Sequence, residues 1–180
     1  MASAGTVTGS VTLTASFNEF ISTGITPYTI SETLSALGTL PGTLQFGNGT
    51  GSGQIDTLYA AKLSLAAAAT TVDFTAVVDP GGGSVTFARG RFFFCYNPST
   101  TAGQDCKIYP GASNPLLWIP GSSSVPNYAR YGGGWFMLND PVSTGTGNGN
   151  VITSTSKTVV FDPGANTITV YVIMAGGSVA

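Results

Sequence analysis

The side chains able to do chemistry are few and scattered. The chain has 180 residues, no histidine, two cysteines, 6 Lys+Arg and 8 Asp+Glu. Without histidine, neither a Ser-His-Asp triad nor a histidine-based metal site can be assembled. A Ser–Lys dyad would have to draw on Lys62, Lys107 or Lys157, and each lies in a strand-like or turn segment with no nucleophile elbow. Glycoside hydrolysis needs two carboxylates facing one cleft. Asp79 and Asp162 sit in Asp-Pro-Gly turns, and no pattern brings Asp73 and Glu32 together. The glycine-rich stretch at 47–53 lacks the Gly-Lys-Ser/Thr of a phosphate loop. Asp56, Asp105 and Asp140 stand apart, whereas calcium sites cluster their acidic ligands. The expectation is a protein that is not an enzyme and carries no cofactor and no metal.

Cys95 and Cys106 flank a Pro/Ser/Thr/Gly loop. A disulfide across the base of that loop and a pair of free thiols both fit the spacing. The N-terminal Met-Ala-Ser-Ala-Gly lacks the basic start and apolar core of a secretory signal. Synthesis in the cytosol is the expectation, and it favours free thiols.

Charge narrows the choice of partners. Only 8% of residues are charged, against roughly 25% in an ordinary soluble domain. Six cations neutralise few phosphates, so a nucleic-acid surface is not expected. No apolar run reaches the ~18 residues of a membrane span. Disorder is excluded, because 42% of residues are hydrophobic. A weakly charged surface with this much apolar content suits a protein that lives assembled.

The elements that must position these residues alternate with period two. Val11, Leu13, Ala15 and Phe17 form one face of a strand, and Ile168, Val170, Val172 and Met174 another. Tyr59, Ala61, Leu63 and Leu65 form a third, followed by Val72, Phe74 and Ala76. Val85–Tyr96 reads as a long aromatic strand with a bulge or bend at Gly90. Five of the ten prolines precede glycine, the pair that suits a type II turn. Asp79-Pro80-Gly81 and Asp162-Pro163-Gly164 are read as hairpin turns, the second joining Thr158–Phe161 to Thr167–Met174. Leu116–Ile119 is expected to form a short strand inside a long loop. Ile30–Leu37 is the only helix candidate, and a short one.

Ten aromatics fall between Phe92 and Phe136. A subunit interface, a sugar platform and ordinary core are the three readings. Interface is preferred, because charge is depleted along the whole chain and interfaces deplete charge while enriching aromatics. Trp118, Tyr128, Tyr131, Trp135 and Phe136 are the candidate contact residues. Phe92 to Phe94 occupy both faces of one strand, so something outside the sheet's own core must cover one of those faces.

The motifs Gly-Thr-Gly-Ser-Gly-Gln-Ile-Asp at Gly49–Asp56, the long run Leu58–Phe94, Gly133–Leu138 with Asp140-Pro141, and Val170–Gly177 resemble small tailed-phage and prophage virion proteins of jelly-roll character. The resemblance spans about residues 49 to 177. It implies a head decoration (cement) protein or related capsid component, located in the virion and made in the host cytoplasm. Its partners would be copies of itself, as a homo-oligomer and by analogy a trimer, and the major capsid protein. It transfers no catalytic residue. The expected fold is all-β, a jelly-roll-like sandwich of about eight antiparallel strands with long loops. A flexible arm at 1–9 precedes a single domain at 10–180. The alternatives are a carbohydrate-binding β-sandwich module and a self-assembling surface-layer or filament subunit.

Overall fold

Period-two alternation makes a strand wherever one face can be buried, and strands account for all the regular structure among the described residues. The computed structural model describes residues 54–78, 82–139 and 150–178, together with the backbone of strands at 11–18, 29–38 and 47–48. The chain divides into two units, Met1–Gln45 and Phe46–Ala180. In the first, β1 (Val11–Asn18) pairs antiparallel with β2 (Thr29–Gly38). The helix expected at Ile30–Leu37 is therefore corrected to a strand. Ile30 stands opposite Phe17 and Leu34 opposite Leu13, and so short a helix is marginal without tertiary support. The arm expected at 1–9 lies outside the described residues.

The second unit opens with β3 (Gly47–Asn48) and β4 (Gln54–Ile55), a short parallel pair. Then come β5 (Thr57–Ala66) and β6 (Thr70–Asp73). A small hairpin follows, of β7 (Val77–Val78) and β8 (Ser84–Val85). After it come β9 (Arg89–Tyr96), β10 (Cys106–Pro110), β11 (Asn127–Ala129), β12 (Trp135–Asn139), β13 (Thr158–Asp162) and β14 (Thr167–Gly177). Two four-stranded antiparallel sheets result, β12-β9-β14-β5 and β11-β10-β13-β6. They pack face to face as a sandwich, with one core drawn from both.

The pairings are nested. β5 pairs with β14, β6 with β13, β9 with β12 and β10 with β11. These eight strands of the second unit form one long antiparallel ribbon, doubled back between β10 and β11. Each half of the ribbon crosses from sheet to sheet at every step. This corrects the hairpin expected at Asp162-Pro163-Gly164. There the glycine takes the expected positive φ, 63°. The backbone turn, however, closes from the Asn166 N–H to the Pro163 carbonyl at 3.3 Å, so Gly164 and Ala165, not Pro163 and Gly164, are its central pair. Asp162 Oδ1 accepts the Gly164 N–H at 2.7 Å. Yet β13 and β14 lie in different sheets, so the turn is a corner across the sandwich. The other expected hairpin is present in short form, with Val77 opposite Val85 and Val78 opposite Ser84, while β6 and β9 part to opposite sheets. Asp79-Pro80-Gly81 itself lies outside the described residues. A turn residue sets the local reversal and carries no information about which distant strand will supply the ladder.

Leu116–Ile119 is also corrected, from strand to turn. The Ile119 N–H donates to the Leu116 carbonyl at 3.0 Å, and both side chains enter the core. Phe93 is the hub of that core. Its ring meets Phe74 at 6.3 Å, Phe136 at 6.1 Å and, from the facing sheet, Phe161 at 6.2 Å.

The irregularity expected at Gly90 is present. The β9–β14 register shifts between Ala175 and Gly176, where Gly176 faces Gly90. The Trp118 ring lies over Gly90, and a Cβ there would stand 2.5 Å from Cζ3 and 3.0 Å from Met174 Cε. Gly90→Ala is expected to destabilise the fold by about 1–3 kcal/mol through overpacking, and Trp118→Ala by about 2 kcal/mol through lost packing. The double variant should be less destabilised than the sum, because the new methyl enters space the indole has left. Chemical denaturation of the four proteins measures the coupling. Strict additivity would mean that Trp118 does not pack on Gly90 in solution.

Candidate functional site

The described ionic side chains are tied into local structure and spread over the fold. Lys107 pairs with Asp162 at 3.7 Å, Lys157 with Asp73 at 2.6 Å and Arg130 with Asp105 at 2.6 Å. Asp105 also accepts the Tyr131 N–H at 3.0 Å. Asp56 accepts from Thr57 and from the backbone and hydroxyl of Ser178, closing the end of β14 onto the start of β5. Lys62 is exposed, with its ammonium 6.0 Å from the Tyr171 ring centroid. Asp79 and Asp140 lie outside the described residues. Among the described residues no three of His, Cys, Asp and Glu stand together. No helix there is long and apolar enough to cross a membrane.

Two pKa shifts follow from this wiring. Burial pushes the Tyr109 hydroxyl up, and the Asp162 carboxylate adds to it. At Asp73, burial acts upward but is outweighed by hydrogen bonds from Lys157 and from the Thr75 hydroxyl and N–H, so the carboxyl lies below its ordinary value. A depressed carboxyl stabilises the fold above its unfolded pKa, about 4. That contribution is lost as pH falls through the folded-state value. Asp73→Asn should therefore flatten the decline in denaturation midpoint below about pH 4 and leave neutral stability only modestly lowered, as partly exposed pairs contribute little. An unchanged acid limb would remove Asp73 from the acid response.

The distinctive geometry is the contrast between the two outer faces. On the β11-β10-β13-β6 sheet, the residues pointing away from the core include Lys107, Tyr109, Asp162, Thr71 and Asp73, a solvated pattern with its own ion pairs. On the β12-β9-β14-β5 sheet the outward positions are apolar at one end and polar at the other, where Lys62, Ser64, Thr167 and Thr169 stand. Phe92 and Phe94 stack on each other at 6.3 Å beside Ile173, Ala175 and Leu58. Phe92 is 3% and Phe94 2% exposed, although both point away from the sandwich core. Phe93 and Cys95 between and beyond them face inward. The two-sided burial expected of Phe92–Phe94 is what the structure has. One row nearer the loop end, Trp135, Tyr96, Tyr171 and Lys62 are successive cross-strand partners. Trp135 stacks on Phe94 at 6.5 Å and remains 40% exposed. Tyr96 and Tyr171 lie 6.3 Å apart.

The five residues singled out from sequence do not form one patch. Trp135 lies on this aromatic face, and Tyr131, 44% exposed, in the loop leading to it. Phe136 is turned inward to Phe93, and Trp118 is half-buried over Gly90. Tyr128 is on the opposite sheet, with the Arg130 guanidinium 3.9 Å above its ring. Tyr96 and Tyr171 were missed. Their signal was period-two placement on the same face as Phe94 and Ile173, which becomes meaningful only once β9 and β14 are known to be neighbours. Compared with protein-family models, curated proteins and solved structures, the chain matches none.

Proposed function

We propose that the protein is a structural virion subunit, a capsid decoration or cement protein or a related component, that works by self-association and by binding a capsid lattice. The observation that carries this reading is the row Trp135, Tyr96 and Tyr171 on the outer face of the β12-β9-β14-β5 sheet, partly exposed rings at positions that a solvated sheet fills with polar residues. That face ends in the exposed rings of Trp135 and Tyr131. The nested pairing of eight strands supports the winding of a jelly roll, an architecture common in shell-forming proteins. The pairing of the described carboxylates with neighbouring donors supports a scaffold rather than a reaction centre. Assembly would bury weakly charged aromatic surface between subunits and so stiffen the shell.

The wild-type protein is expected to sediment as a homo-oligomer or to bind capsids. Burying the exposed part of Trp135, roughly 100 Å², contributes about 2 kcal/mol. Trp135→Ala should therefore weaken association at least tenfold, in addition to the monomer stability lost with its stacking on Phe94. Trp118→Ala should lower stability and leave association unchanged. A wild-type chain that stays monomeric at high concentration and fails to bind capsids would overturn the proposal.

The row Trp135–Tyr96–Tyr171 beside Lys62 supports a second reading, a carbohydrate-binding sandwich, since neighbouring rings on adjacent strands can stack on successive sugar rings. A glycan array separates the two. Specific glycan binding lost in Tyr171→Ala, with no self-association, would favour the second.

A further inference from the structure

Cys95 and Cys106 belong to different sheets. Cys95 is on β9 and Cys106 on β10, both point inward, and both are 0% exposed in the same core cluster. The chain between them is a fastened corner. Asn97 Nδ2 donates to the Gln104 carbonyl at 2.7 Å and to the Ala129 carbonyl at 3.1 Å, and Asn97 Oδ1 accepts the Ser99 N–H at 3.0 Å. These bonds hold the end of β9 beside the start of β10. Burial pushes the Cys95 thiol well up, and interaction with Cys106 adds to that, in keeping with the placement of both thiols in one core behind the Asn97 corner.

We propose that Cys95 and Cys106 are a cross-sheet dithiol that closes to a disulfide when the chain folds in the presence of a small-molecule disulfide such as oxidised glutathione. The thiolate of one cysteine attacks a glutathione sulfur, forming a mixed disulfide and releasing one glutathione thiolate. The thiolate of the other cysteine then attacks the protein sulfur of that mixed disulfide. The Cys95–Cys106 bond forms and the second glutathione leaves. The protein gives up two protons and two electrons, and one oxidised glutathione becomes two thiols. Exchange requires thiolate, and a buried neutral thiol supplies almost none. The bond therefore forms before the sheets close. Once both cysteines are buried, the folded protein holds whichever state it acquired. The inference is independent of the assembly proposal.

The test refolds the full chain from denaturant in mixed oxidised and reduced glutathione, followed by denaturation, alkylation and mass spectrometry. A monomer about 2 Da lighter, with no alkylation and a proteolytic fragment joining Cys95 to Cys106, is expected. Its unfolding equilibrium constant should be about a hundredfold smaller than that of the reduced chain, the effect of closing a short loop. Protein folded under reductant should leave both thiols unreactive until it is unfolded. Cys106→Ser should instead yield one alkylated or glutathionylated Cys95, a readout obtained on the unfolded chain and so independent of that variant's stability. Recovery of two alkylated cysteines, two glutathione adducts or intermolecular disulfides from the wild-type chain would overturn the proposal.

Discussion

Phe93→Ala is expected to lower the free energy of unfolding by about 3–5 kcal/mol. That is a large share of the 5–15 kcal/mol typical of a folded protein. The ring is fully buried and touches aromatic rings from three other parts of the unit: Phe74 after β6, Phe136 on β12 and Phe161 on β13. Because Phe161 belongs to the facing sheet, the ring joins the two layers. Its removal opens a cavity between sheets whose positions are fixed by their own ladders, so the walls collapse only in part. Phe93→Leu keeps most of the volume and should cost well under half as much. Urea denaturation of the three proteins provides the numbers. A loss below about 1 kcal/mol for the alanine variant would mean that β9 does not present Phe93 to the core.

Gly176→Ala is expected to cost on the order of 3 kcal/mol or more. At the register shift between β9 and β14, a Cβ on residue 176 would overlap the Arg89 carbonyl oxygen and stand 3.0 Å from the Phe87 ring. A flexible side chain can move aside, but the Arg89 carbonyl is part of the strand. The Gly176 carbonyl also accepts the Asp56 N–H at 3.0 Å, and the Gly177 carbonyl the Ala88 N–H at 2.8 Å. Pushing β14 outward would thus loosen both neighbouring strands at once. Gly132 makes a fair control. Its φ is +80° and a Cβ there meets nothing within 4 Å, so Gly132→Ala should cost only the left-handed backbone penalty, about 1–2 kcal/mol. Thermal melts that rank the two variants the other way would show that β9 and β14 are spaced more widely than described.

Much of the strand content was legible because burial writes itself into a strand with period two. Leu65, Val72, Val170, Val172 and Met174 were assigned to inward faces from alternation alone, and all are core. The double-sided aromatic run at Phe92–Phe94 announced an outer face that is not solvated. The irregularity at Gly90 was marked by a glycine inside a strand pattern.

The lateral order of the strands was not legible, because a backbone ladder can join any two extended segments and leaves no local mark on either. Asp162-Pro163-Gly164 therefore looked like a hairpin while acting as a corner between sheets. Leu116 and Ile119, apolar and three apart, looked like part of a strand while closing a turn. That Trp118 packs over Gly90, distant in sequence, left no mark in the residues around it. The same holds for the sites. Residue types alone excluded histidine chemistry. The neighbouring of Cys95 with Cys106 across two sheets, and of Trp135 with Tyr96 and Tyr171 along one, arises from non-local pairing, in which contacts are decided by how the wound ribbon buries its apolar faces all at once.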